Sequence, residues 1–230
     1  NDFIVCSFGF LAESKLNHRL LNAWLQSKLF QSPDSKLVFV GENHGGHYGA
    51  ALLQSIHSSG ADGRAYITGF APTETYELYL ACADLVVQLR AQSRGETSGA
   101  ALDCMNHGLP LIVNANGSMA ELNPDAVWML PDEFDDTELT QALETLWRDS
   151  ARRAELGARA RAVIEQQHAP AHCALRYVQA IEQAYQQRIS TAQHVVHTIT
   201  AEPDFIRTPA SDTELQQLAQ AIATTLPPRR

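Results

Sequence analysis

The sequence predicts an α/β fold of the Rossmann-like type, in which helices cover both faces of a parallel sheet. Short, almost wholly apolar segments alternate with longer segments whose apolar residues recur at the helical period. Apolar strands of this kind are typical of parallel sheets, which are buried on both faces. Such sheets bind ligands outside the carboxyl ends of their strands. The polar, glycine-containing turns of this chain follow the predicted strands at that edge.

The first part of the chain is predicted to form three strand–helix units. Its strands are the apolar runs at residues 3–6, 37–40 and 65–68. The first helix is indicated by leucines and a tryptophan at helical spacing between residues 16 and 29. A second helix, residues 48–59, ends at a glycine, and a proline followed by a threonine begins the third at residue 72.

The rest of the chain continues this alternation and then becomes helical. Strands are predicted at residues 85–89, 111–113 and 127–130, with a helix between the first two that ends at Gly108 and Pro110. Helices follow at residues 139–148, 151–167 and 171–188. Weak periodicity predicts a linker or extended arm from about residue 190, and Asp212 is a good N-cap for a last helix. We therefore predict a domain over residues 1–189 and an arm with a terminal helix over residues 190–230.

The overall composition limits the classes of protein to consider. Of the 230 residues, 45% are hydrophobic and 19% are charged, which is typical of a globular protein with a core. The net charge of −9 argues against a broad nucleic-acid surface. The four cysteines form no CxxC pair, which favours buried, reduced thiols in a cytosolic protein over disulfides or zinc ligands.

The apolar runs also bear on location. No run approaches the roughly 18 to 20 residues of a membrane span, and no signal peptide is recognisable. We expect a cytoplasmic protein, and this expectation includes peripheral attachment to the inner face of the membrane. The chain begins without a methionine and enters a strand almost at once, which indicates a piece of a longer protein.

The most informative segment is the turn at residues 94–99, between the fourth strand and the helix after it. This turn is small, polar and contains two glycines. A strand-to-helix turn leaves free N–H groups at the start of the helix, and these bind a phosphate without a metal. Glu96 lies in the turn and Asp103 lies inside the helix. A phosphate cradle flanked by carboxylates suits a ligand with a diphosphate and several hydroxyls, such as a nucleotide sugar.

Five further segments accompany this turn in a consistent order along the chain. They are residues 7–15, 39–42, 67–70, 79–84 and 116–121. Together with the turn they resemble the C-terminal, donor-binding half of a GT-B glycosyltransferase of the retaining family 4 type, over about residues 3–188. The resemblance implies a UDP- or GDP-sugar as substrate and no metal or other cofactor.

The resemblance also implies roles for particular residues. It implies that Lys15 binds the diphosphate and that Glu96 binds the hydroxyls of the donor sugar, so these two are the candidate catalytic residues. Asp103 resembles the residue that accepts hydrogen bonds from the ribose. The remaining candidates for donor binding are the glycines and the base-binding residue of the strand turns, two arginines and the phosphate cradle: Gly9, Gly41, Gly69, Phe70, Arg90, Arg94, Thr97, Ser98 and Gly99.

Besides one additional residue between Gly117 and Glu121, the sequence departs from the family pattern at two places. Phe10 stands where the family commonly has an arginine that assists the lysine, and either Arg90 or Arg94 is a candidate to replace it. Six residues separate Glu96 from Asp103, whereas the family's two glutamates have seven between them. Aligning the helix through Asp103 would place the first family glutamate at the preceding glycine, so that Glu96 reaches the site through a shifted turn.

These observations favour one function over three others. We predict the donor-binding half of a glycosyltransferase that moves a hexose to a glycan or lipid-linked acceptor, with the acceptor site on an N-terminal half that this chain lacks. The alternatives are a catalytically degenerate module that scaffolds a multi-domain polysaccharide-synthesis protein, a GT-B epimerase, and a phosphorylase. The pair His44 and His47 lacks carboxylate or thiol partners, so a flexible loop is favoured over a zinc site.

Overall fold

The computed structural model describes residues 2–201 and, in addition, residues 213, 216, 217 and 220, with side chains described as far as residue 187 in the continuous part. The chain divides into two compact units, Asn1–Ala169 and Pro170–Arg230. The strands are β1 (Phe3–Phe8), β2 (Ser35–Val40), β3 (Ala65–Ile67), β4 (Leu85–Gln88), β5 (Leu111–Asn114) and β6 (Trp128–Leu130). The helices are α1 (Asn17–Gln26), α2 (Lys28–Gln31), α3 (His47–Ser58), α4 (Thr73–Cys82), α5 (Gly99–Asn106), α6 (Asp136–Arg148), α7 (Ser150–Gln167) and α8 (Pro170–Ala201).

The six strands form one parallel sheet in the order β3-β2-β1-β4-β5-β6. The order reverses between β1 and β4, which is where Rossmann-like sheets open a ligand crevice. Alternate side chains of each strand enter two separate cores. Helices α1, α3 and α6 cover one face, whereas α4, α5 and α7 cover the other. The predicted fold class is therefore confirmed.

The two cores explain why the strands are apolar along their whole length. In β2, Leu37 and Phe39 pack in one core while Val38 and Val40 pack in the other. All four side chains are almost fully buried. Because neither face meets solvent, the polar alternation of a half-exposed strand is absent.

Helix boundaries agree with the local sequence signals. Helix α6 begins with a capping box, in which Asp135 accepts a hydrogen bond from the backbone N–H of Glu138 and Glu138 accepts one in return. Helix α7 ends at Gln167, shortly before Pro170. A proline disfavours the helical conformation in the residue before it, here Ala169. In the described part of the chain, no helix has both the length and the apolarity needed to cross a bilayer.

The prediction for the C-terminal segment needs a correction. Helix α8 runs to Ala201, whereas an extended arm was predicted from residue 190. Residues 190–201 contain no glycine or proline, so nothing in them ends a helix, and weak apolar periodicity alone was a poor guide. The proposed boundary at residue 189 falls inside this helix. The N-cap predicted at Asp212 lies outside the described residues, although residues 213, 216, 217 and 220 are helical.

The cysteines are also not all buried as expected. Cys6 and Cys104 are buried in the core, and burial raises the pKa of Cys6 to about 12. Cys82 is a free thiol but is exposed, and Cys173 is half-buried. Cys82 is the last residue of α4, where one side of the helix faces solvent.

Candidate functional site

The turns after β1 and β2 approach each other closely at the carboxyl edge of the sheet. The N–H of Gly9 donates to the carbonyl of Val40 at 2.9 Å. A Cβ on Gly41 would overlap the carbonyl oxygen of Gly9, so only glycine allows this approach. Gly9 itself has φ +108°, and the Nζ of Lys15 lies 3.1 Å from where its Cβ would be. The backbone thus leaves room for the Lys15 ammonium directly above the turn.

Lys15 is one of two shielded cations at this edge. It ends the 3-10 turn Glu13–Lys15, and burial together with the positive charge of Arg90 lowers its pKa to about 8, against the attraction of Glu96. Arg90, two residues beyond β4, is only 8% exposed, and burial lowers its pKa as well. Among the described residues, no ion pair includes Lys15 or Arg90. Two neighbouring cations without a carboxylate partner favour the binding of an anion.

Arg90 is held firmly in place by a residue that the sequence analysis missed. The N–H of Arg90 donates to the Oδ1 of Asn114 at 2.8 Å, and the Nδ2 of Asn114 donates to the carbonyl of Arg90 at 2.8 Å. The guanidinium donates to Leu89 O and Ser98 Oγ, each at 3.3 Å. Since Ser98 is the N-cap of α5, the guanidinium lies at the start of that helix. A polar residue at the end of an apolar strand was the available sequence signal for Asn114.

The turn with Glu96 is anchored to the loop after β5. The Oγ of Ser118 donates to the carbonyl of Glu96 at 2.7 Å, and the Oε2 of Glu96 accepts from the N–H of Arg94 at 2.6 Å. Backbone N–H donors, its own and that of Arg94, hold the pKa of Glu96 below its ordinary value, and the charge of Arg90 adds to the effect. Glu96 is therefore an ionised, exposed carboxylate at the rim of the cationic site.

A cavity of about 230 Å³ lies beside the cationic pair. It is lined by Gly9, Phe10, Val40, Gly41, Glu42, Phe70, Ala71 and Tyr76. Phe70 is 77% exposed, so its ring offers a face to a flat ligand. Gly9 belongs to both the cavity and the lysine site, which makes the two spaces neighbours. Tyr76 also donates a hydrogen bond to the Oδ2 of Asp103 at 3.0 Å.

A larger cavity, of about 910 Å³, shares no lining residue with this one and lies along the start of β6 and the start of α7. Its arginines already have partners in the protein. Arg159 pairs with Glu155, and Arg152 lies 4.3 Å above the ring of Trp128. The carboxylate of Asp149 is used to cap α7. We therefore take the smaller cavity, together with the adjacent unpaired cations Lys15 and Arg90, as the candidate site.

The structure thus brings most of the predicted site residues together in two adjacent groups. Lys15, Arg90, Glu96 and Ser98 form the cationic site, and Gly9, Gly41 and Phe70 line the cavity. Asp103 is joined to the cavity through Tyr76. The other predicted residues do not line the cavity: Gly69, Arg94 and Thr97 lie in the connecting turns, and Gly99 is the first residue of α5.

The histidine loop shows no arrangement that indicates a metal. The Nδ1 of His44 accepts a hydrogen bond from the N–H of Gly46, and His47 is the first residue of α3. Within the described ranges, no group of three or more His, Cys, Asp or Glu residues is placed to hold a metal ion.

Residues 1–163 match the sequence model of the family described as glycosyl transferases group 1. The chain belongs to this family. The match covers the whole six-stranded sheet, including every residue of the cationic site. No curated protein sequence matches the chain significantly.

Solved structures of GT-B glycosyltransferases share the fold. HepE from Anabaena, crystallised with UDP, superposes with a TM-score of 0.70 at 21% identity over 80% of this chain and 49% of its own. The C-terminal domain of LpcC, a group 1 family protein from Francisella tularensis, gives 0.65 at 18% identity over 73% and 87%. Sucrose-phosphate synthase from Thermosynechococcus elongatus gives 0.69 at 20% identity over 81% and 46%. The chain thus spans about half the length of the HepE chain.

Proposed function

We propose that this chain is the donor-binding half of a glycosyltransferase that transfers a hexose from a UDP- or GDP-sugar to a glycan or lipid-linked acceptor. The observation that carries the proposal is the pair of Lys15 and Arg90, two shielded cations without a carboxylate partner in the described part of the chain. A diphosphate supplies the negative charge that such a pair attracts. The binding of UDP by HepE, which shares the fold, supports the same ligand class.

The cavity and the cationic site lie side by side along the edge of the sheet, and we assign the successive parts of the donor to them in that order. The base occupies the cavity against the ring of Phe70, and the diphosphate lies between Lys15, Arg90 and the first turn of α5. The donor sugar then lies near the carboxylate of Glu96. Phe10 lines the cavity rather than the phosphate site, so Arg90 takes over the charge of the arginine that the family commonly has after the first glycine.

The chemistry that we propose is retaining transfer without a metal. The bond between the sugar C1 and the diphosphate oxygen breaks, and its electron pair leaves with the nucleoside diphosphate. The acceptor hydroxyl oxygen forms the new bond to C1 on the face from which the diphosphate leaves, and its proton passes to the departing phosphate oxygen. Lys15, Arg90 and the helix amides stabilise the charge that develops on the leaving phosphate, while Glu96 positions the sugar through its hydroxyls.

The acceptor site and further catalytic groups are proposed to lie on an N-terminal half of the whole protein. The chain described here would then bind donor but turn over little of it. A cytoplasmic location, including the inner face of a membrane, is part of the same proposal, since nucleotide sugars of this kind would reach the site from there.

Titration of the folded chain with UDP, GDP and ADP, and with their sugars, tests the proposal. Saturable heat in calorimetry and a raised melting temperature are expected for a UDP or GDP ligand, since a ligand that binds only the native state stabilises it. Absence of binding to every one of these ligands contradicts the proposal. It would favour the competing hypothesis of a degenerate scaffold, which is motivated by Phe10 and by the six-residue spacing between Glu96 and Asp103.

A further inference from the structure

Tyr76 occupies a position between the base cavity and the carboxylate on α5. It lies on α4, where its half-buried ring packs edge-to-face on Phe8 with the ring centroids 5.1 Å apart. The same ring lines the cavity, and its hydroxyl lies 3.0 Å from the Oδ2 of Asp103. One side chain therefore contacts both the proposed base site and the residue predicted to bind the ribose.

The hydrogen bond fixes Asp103 but leaves acceptor capacity for a ligand. Among the described residues, Tyr76 is the only one that donates to the Asp103 carboxylate, and it uses Oδ2. Burial raises the pKa of Tyr76 and the adjacent Asp103 raises it further, so the phenol keeps its proton and remains a donor at neutral pH. An ionised carboxylate has about four lone-pair sites, so Oδ1 remains able to accept ligand hydroxyls.

An aspartate needs such support more than a glutamate does in this place. Its side chain is one methylene shorter than the glutamate that the resemblance would place there, so its carboxylate has to be directed correctly to reach the same hydroxyl. A carboxylate already held in one rotamer loses less conformational entropy when it binds. Asp103 is otherwise exposed, and no other described side chain restrains it.

We propose that Tyr76 is a positioning residue that directs the Asp103 carboxylate toward the ribose of a nucleoside seated in the cavity. This inference rests on the proposed function. It implies that the site discriminates a ribonucleoside diphosphate from an analogue without ribose hydroxyls, and that this discrimination depends on the Tyr76 hydroxyl.

Calorimetry with three probes tests the inference in the full chain. The probes are UDP or GDP, whichever binds more tightly, its 2′,3′-dideoxy analogue, and inorganic pyrophosphate. Tyr76→Phe retains the ring, so we expect it to weaken the ribonucleotide by roughly fivefold, the size of one hydrogen bond, and to leave the dideoxy analogue and pyrophosphate unchanged. Tyr79→Phe is the matched control, because Tyr79 lies on the same helix but bonds to Tyr66.

The outcomes separate this inference from the proposed function. Failure of the wild-type chain to bind any nucleoside diphosphate overturns both. Tight wild-type binding with the same ribose discrimination in Tyr76→Phe overturns the inference alone, as does an equal loss for all three probes, which would indicate a merely structural role. In an Asp103→Ala background, Tyr76→Phe is expected to cause no additional loss of ribonucleotide affinity. A further fivefold loss in the double variant would contradict the inference that Tyr76 acts through Asp103.

Discussion

Replacement of Arg90 by methionine separates the contribution of this residue to ligand affinity from its contribution to the stability of the fold. Methionine has a similar length and is apolar, so it fills the space of the buried arginine without its charge. We expect the affinity for UDP or GDP to fall by roughly 1.5–3 kcal/mol, the value of hydrogen bonds to a charged group. This corresponds to a loss of roughly 10- to 150-fold in the dissociation constant. Because Arg90 is only 8% exposed, salt should screen the effect weakly.

The free energy of unfolding should change by no more than about 1 kcal/mol, since two opposing effects nearly cancel. The variant loses the two hydrogen bonds of 3.3 Å from the guanidinium to Leu89 and Ser98. Against this, the variant no longer buries a cation that has no carboxylate partner among the described residues, and removal of this desolvation penalty stabilises the folded state. The two bonds to Asn114 use backbone atoms of residue 90 and are retained.

Calorimetry gives the affinity, and urea denaturation gives the stability. Arg94→Met is the matched control, because it removes an exposed arginine from the neighbouring turn. A screened surface charge contributes up to about 1 kcal/mol, so the control should lose less than about fivefold in affinity. Equal losses in the two variants would refute the reasoning. So would a large loss of stability in Arg90→Met with unchanged affinity, because Arg90 would then be a structural residue.

Three further predictions concern the same edge of the sheet. Affinity for a nucleoside diphosphate, measured by calorimetry, should fall as the pH rises through about 8, because Lys15 loses its proton there. Lys15→Met should lower the affinity at pH 7 and remove this pH dependence. Glu96→Ala should weaken a nucleotide sugar but not the bare diphosphate, whereas Asp103→Ala should weaken both; equal losses for both ligands in Glu96→Ala would contradict its contact with the sugar. Gly41→Ala should lower the melting temperature and abolish binding, because its Cβ would overlap the Gly9 carbonyl, and an unchanged melting curve would contradict this packing.

Much of the fold could be predicted because its signals are local. Apolar runs and helical periods defined every strand and most helices, and continuous apolarity alone indicated a parallel sheet. Since carboxyl ends of parallel strands share one edge, the turns containing Gly9, Gly41 and Ser98 could be assigned to one site before any contact was known. The continuation of α8 from residue 190 to Ala201 could not, because apolar periodicity, the signal used for the other helices, is weak in these residues.

Only the tertiary structure decided which side chains act together at that edge. Arg90 and Arg94 were equivalent in the sequence, but the amide of Asn114 on the neighbouring strand holds residue 90 in the interior and leaves residue 94 in solvent. Likewise, the bond from Tyr76 to Asp103 joins two helices. Periodicity and turn composition report how a residue relates to its neighbours along the chain. Burial of a charge and contacts across the sheet depend on strand order and helix packing, so these features of the site emerge only when the chain is folded.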